Sequence, residues 1–211
     1  MSAPELIPRA KWRHRPAQQG TAAVEFALLA VVFFLMVFTV IEVARLMYVF
    51  NTLQEVTRRA VAAAVNVQPG ATAALNRVRY DAVLRSDPGG LILASPITDE
   101  HVRIDYLALT RNSAGELSLS AIPSTALPVS AAENRHVCTC NPNAANCIRF
   151  VRARICDPAE SGNCNAAQSR MLVPMITLGV RLHLATTIAV AESLGYQPGT
   201  APTAPAAPLA R

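Results

Sequence analysis

The chain has 211 residues, of which 52% are apolar, 5% aromatic and 16% charged. Charged residues fall well below the ~25% usual for soluble domains, and 37 of the apolar positions are Ala, so a wholly disordered polyelectrolyte is excluded. The net charge of +5 is uneven: residues 1–20 carry Arg9, Lys11, Arg13 and Arg15 against Glu5, and the rest has no dense basic patch of the kind a nucleic-acid-binding domain needs.

In chain order, the first feature is a short basic leader. Its end reads Arg15-Pro16-Ala17-Gln18-Gln19-Gly20. An apolar run follows. Phe26 to Ile41 has no charge, and Thr21 to Ile41 has one, Glu25. Twenty-one helical residues reach about 31 Å, enough for the ~30 Å hydrocarbon core of a bilayer. A buried core helix is the weaker reading, because the remaining chain is not apolar enough to surround Phe33, Phe34, Leu35, Met36 and Phe38. A cleaved secretory signal fits poorly as well. Glu42-Val43-Ala44-Arg45-Leu46 offers no small-residue cleavage site. The excess of Lys and Arg before the run predicts a single-pass anchor with a cytoplasmic N-terminus.

A carboxylate near the membrane edge costs free energy and asks for a reason. Cleavage after Gly20 would give Thr21 a free ammonium. Glu25 would then lie at i+4 on the same helical face, within the first turns that favour negative charge.

The helical pattern continues past Ile41, with Leu46, Val49, Leu53, Val56, Ala60 and Ala64 at three- and four-residue steps. No Pro or Gly interrupts residues 21–68, so one helix of roughly 70 Å is expected until Pro69-Gly70.

These residues resemble a known pattern. A basic leader, Gly20, and a hydrophobic helix with Glu25 at the fifth position beyond it look like the type IV prepilin-like family. The longer stretch, with Ala23-Val24-Glu25-Phe26-Ala27-Leu28, Glu42 and Arg45 in an E-x-x-R spacing, and Leu53, Arg58 and Arg59, resembles the TadE-like minor pseudopilins of tight-adherence (Flp) pilus systems. Two positions depart from the family: Val31-Val32, where it often has Pro, and Ala44, where it often has Gly. The resemblance implies cleavage between Gly20 and Thr21 by an inner-membrane prepilin peptidase. It implies assembly roles for Glu25, Phe26, Glu42 and Arg45, with the lipid bilayer and other pilin-like or pilus assembly proteins as partners. It also implies a pilin-like lollipop, in which the helix continues into a small periplasmic head.

The expected organisation is a leader at 1–20, a membrane helix at 21–41, its periplasmic continuation at 42–68, an α+β head at 69–195, and a Pro/Ala-rich tail at 196–211. Within the head, residues 71–85 read as a second helix stopped by Asp87-Pro88-Gly89-Gly90. Residues 102–106 and 116–119 read as strands joined by a turn at 112–115. Further strands are expected at 148–155 and 171–188, the last broken near Gly179. An antiparallel sheet against the helix would bury both apolar faces.

All five cysteines, Cys138, Cys140, Cys147, Cys156 and Cys164, fall in the head. In an oxidising periplasm they predict two disulfides and one free thiol: Cys138 or Cys140 with Cys147, and Cys156 with Cys164. The spacing C-x-C-x6-C-x8-C-x7-C with His136 lacks the paired knuckles of a structural zinc site, so zinc is the weaker reading. No cofactor is expected. His14 lies in the leader. His101, His136, His183, Asp99-Glu100, Ser113, Ser124 and Ser130 form no recognisable catalytic set, and no phosphate-binding or hydrolase motif occurs. A structural component rather than an enzyme is therefore expected. The alternative is an unprocessed, signal-anchored periplasmic module for ligand binding or envelope attachment.

Overall fold

A computed structural model describes residues 19–159, 163–172 and 179–199. They form two compact units, divided between Ile41 and Glu42.

Helix α1 runs unbroken over Gln19–Ala64. Its residues up to Ile41 make up the described part of the first unit, where the large side chains, among them Phe26, Leu29, Phe33 and Met36, stand exposed. This stretch belongs to the one helix among the described residues that is long and apolar enough to cross a membrane.

In the second unit α1 changes character. Val49, Leu53, Val56, Ala60 and Ala64 are buried at steps of four, three, four and four, a single apolar stripe. The stripe joins one core with Tyr106, Ala108, Val151, Ala153 and Ile155 of the sheet. The fold class is α+β, as expected. Strands β1 (Val102–Arg111), β2 (Leu117–Ala121), β3 (Phe150–Ile155) and β4 (Thr186–Val190) form an antiparallel sheet in the order β2-β1-β3-β4. Strand β3 alternates between half-buried and buried along its length, which is the period-two pattern of a sheet with one face on the core.

Helix α2 (Thr72–Ala82) is shorter than expected, because Leu84 takes a positive φ of 61° and turns the chain away. Helix α3 (Ala131–Cys140) is an element that apolar periodicity does not reveal. Its signal is a cap. Ser130 Oγ accepts from Glu133 N at 3.1 Å, and the Glu133 carboxylate accepts from Val129 N at 2.8 Å. The expected strand over 171–188 is corrected: ladder pairing begins only at Thr186 and runs to Val190. Residues 173–178 of that run lie outside the described residues, as do the leader to residue 18 and the tail from 200.

The C-terminal segment closes on the end of α1. Leu194 N donates to Val65 O at 3.0 Å, and Ser193 Oγ lies 3.0 Å from Asn66 Oδ1. Gly195 has φ +75°, and a Cβ there would come within 3.1 Å of Gln68 N, so both conformation and space require glycine.

The structure pairs Cys138 with Cys147 and Cys156 with Cys164, leaving Cys140 free and exposed. Cys138 lies four residues beyond the buried Asn134, on the same inward face of α3, whereas Cys140 is turned outward. Loops this short are worth about 2–3 kcal/mol each to stability when closed. Denatured, non-reduced protein should therefore release one thiol, rising to five after reduction. A count of five without reductant would contradict both bridges.

Candidate functional site

Gly20, Thr21, Glu25 and Phe26 all lie on the first turns of α1. The side chains of Glu25 and Phe26 are exposed there, and a Cβ at Gly20 would meet nothing within 4 Å among the described residues. Helical spacing puts Glu25 one turn beyond Thr21 on the same face. Glu25 is thus an exposed acid on a helix surface that is otherwise apolar from Phe26 to Phe38.

Glu42 and Arg45 form a buried, densely bonded polar cluster in the second unit. The i, i+3 spacing brings them together on α1 with Nη1 2.8 Å from Glu42 Oε1, and both are buried. The rest of the guanidinium is also used. Arg45 Nε donates to Leu93 O at 3.0 Å, and Nη2 donates to Ser95 O at 3.2 Å and Arg170 O at 2.7 Å. The second carboxylate oxygen, Glu42 Oε2, accepts from Leu172 N at 3.2 Å. A buried ion pair is favourable only when its remaining donors and acceptors are satisfied, and here two loops supply the missing partners. The pair thus fastens the 91–97 turn and the 170–172 segment to one turn of helix. The loop acceptors are backbone carbonyls, which leave no signature in the sequence.

A second charged cluster sits on the sheet face opposite the helix. Asp105 Oδ2 accepts from Arg154 Nε at 2.9 Å and Arg152 Nη2 at 3.1 Å, while Arg103 Nε lies 3.3 Å from Oδ1. Register explains the meeting. Arg103 pairs with Arg154 and Asp105 with Arg152 across β1 and β3. One carboxylate thus offsets three cations on a single face.

The remaining titratable groups do not converge on a catalytic arrangement among the described residues. Cys140 Sγ lies 4.0 Å from His136 Nε2 on the exposed face of α3, and no group of three or more His, Cys, Asp or Glu side chains among the described residues could hold a metal. His183 lies 2.6 Å from Gln54 Nε2 and packs on the Phe50 ring. A cleft of about 520 Å³ is lined by Arg79, Tyr80, Asp99, Glu100, Arg103 and Asp157, a mixture of charges without a nucleophile and base pair. Tyr106 is buried, its hydroxyl has no hydrogen-bond partner among the described residues, and burial pushes its pKa up to about 12 against the pull of Arg79.

His101 caps its own turn. Its Nδ1 accepts from Thr98 N at 3.1 Å, which requires that nitrogen to be unprotonated. Burial lowers the imidazole pKa from 6.5, outweighing the nearby carboxylates of Asp157, Glu100 and Asp99. Below about pH 6.5 the unfolded chain binds a proton that the folded chain resists. Stability that is present above that pH is therefore lost as the pH falls towards the depressed folded value. The urea midpoint of the wild type should fall between pH 7.5 and 5.5, and His101→Gln should flatten that slope. An unchanged slope would remove His101 as its source.

Comparison with curated proteins gives no match, and comparison with solved structures gives none. The family comparison does match, over residues 20–62, which begin at Gly20 and take in Glu25, Glu42 and Arg45. Across that N-terminal segment the chain is TadE-like, matching the family model described as TadE-like protein.

Proposed function

We propose that this chain is a minor pseudopilin-like component of tight-adherence pilus assembly. Residues 21–41 anchor it in a bacterial inner membrane, with the N-terminus cytoplasmic and the head periplasmic. A prepilin peptidase cuts it after Gly20. The TadE-like segment marks it as a component related to tight-adherence pili. One observation carries the finer reading: the match begins at Gly20, in the first described turn of α1, and Glu25 is the only charge in the next twenty-one residues. A helix with its large side chains exposed along that length needs lipid or other helices around it. Ala22, Ala23, Ala27 and Ala30 provide a surface on which a neighbouring pilin-like helix can approach closely. The work is structural, with no catalytic step assigned to the head.

The test is the N-terminal residue of the protein extracted from membranes of cells with and without a prepilin peptidase. A start at Thr21 only when the peptidase is present is expected. A retained leader in both would make the unprocessed, signal-anchored periplasmic module the better account.

A further inference from the structure

We propose that the two loops held by Arg45 form an apolar collar that dips into the lipid interface, so that the head itself touches the bilayer. The inference rests on the anchoring reading above. Glu42 follows the last residue of the apolar run directly, and Arg45 comes one turn later on the same helix. At 1.5 Å per residue Arg45 lies about 6 Å past Ile41, within the headgroup layer of roughly 5–8 Å on each side of the hydrocarbon. Its hydrogen bonds to Leu93 O at 3.0 Å and Arg170 O at 2.7 Å tie both loops to that turn of the helix.

The side chains these loops carry are the wrong ones for water. Ile92 is 53% exposed, Leu93 62% and Leu172 56%, on two loops joined by one guanidinium. Leu93 also has φ +58°, a left-handed conformation uncommon for a bulky residue, and its carbonyl is fixed there by Arg45. Exposed Tyr48 and Arg170 add the aromatic and cationic groups favoured at a membrane surface. A sheet-face partner would not explain an apolar surface tethered to the first helical turn past the span. A lipid surface does.

The experiment uses the full chain in vesicles of phosphatidylethanolamine and phosphatidylglycerol, with its single tryptophan, Trp12, replaced by Phe. Tryptophan is then placed singly at four positions: Leu93→Trp and Leu172→Trp in the collar, Phe38→Trp in the span, and Leu119→Trp on exposed β2. The expected result is at least a twofold loss of emission with brominated lipid for Leu172→Trp and Leu93→Trp, with a shift to shorter wavelength, and little change for Leu119→Trp. Leu172→Trp keeps the test valid if the left-handed position rejects the larger ring. Quenching of Phe38→Trp without quenching at either collar position would overturn the collar alone. Equal quenching at Leu119 would overturn it too, because the head would then lie flat on the lipid. No quenching at Phe38 would remove the anchor and the collar with it.

Discussion

Replacing Glu25 by Gln will leave the protein in the membrane fraction and reduce surface pili more than tenfold. Gln keeps the length and hydrogen-bonding capacity of the side chain and removes only its charge. Anchoring depends on the apolar run from Phe26 to Ile41, which the change does not touch. A carboxylate within a membrane-spanning segment is costly and is retained where it has a partner. Under the proposed cleavage after Gly20, that partner would be the ammonium of Thr21, one helical turn away in the same chain or at the start of a neighbouring helix. Immunoblots of membrane fractions and pili counted by electron microscopy separate the two effects. Normal piliation would reduce Glu25 to an acid that reaches back to the membrane edge and has no part in assembly.

The second large effect is expected at Arg45. Arg45→Ala removes four hydrogen bonds at once and leaves the Glu42 carboxylate buried with only the Leu172 N–H. Breaking one side of a buried pair costs about 3–5 kcal/mol. For a chain of this size that corresponds to a fall of about 10 °C in Tm or somewhat more. Thermal unfolding followed by near-ultraviolet circular dichroism, on the full chain in detergent, measures it. The double variant Glu42→Met with Arg45→Met should recover part of the loss, because no charge is then stranded. A Tm within 2 °C of wild type for Arg45→Ala would mean that the loops hold without the clasp.

What could be read in advance follows from how local each signal is. Helix α1 was legible because its determinants are contiguous: forty-six helical residues with no Pro and one Gly at the very start, and an apolar stripe that narrows after Ile41. The pairing of Cys156 with Cys164 spans only eight positions. The choice between Cys138 and Cys140 was not legible, because it depends on which face of α3 meets Ile148, and α3 itself was missed. Its cap, Ser130-Ala131-Ala132-Glu133, stands in the sequence, but Pro123, Pro128 and Pro142 flank it and apolar periodicity over 131–140 is weak. The overlong strand reading of 171–188 failed for the opposite reason. Apolar residues there suggest a sheet position, yet pairing with β3 is decided by partners 32 to 40 residues away. At the candidate site, Glu42 and Arg45 announced themselves by spacing. Their carbonyl acceptors on Leu93, Ser95 and Arg170 are backbone groups that any residue would offer.

The closure of the C-terminal segment on α1 governs the order in which the molecule can be made. The stripe through Leu53, Val56 and Ala60 is among the first apolar surface to be synthesised, while its cover includes Ala185 and Leu194, near the other end of the chain. At about 5–20 residues per second, the intervening stretch takes on the order of ten seconds to emerge. Throughout that interval the stripe is sticky and unsatisfied. The two disulfides close loops of nine and eight positions, and their cysteines are made shortly before that cover. A chain that stalls before Ala185 therefore leaves the stripe of α1 uncovered, although the four cysteines that the folded head pairs have all been made.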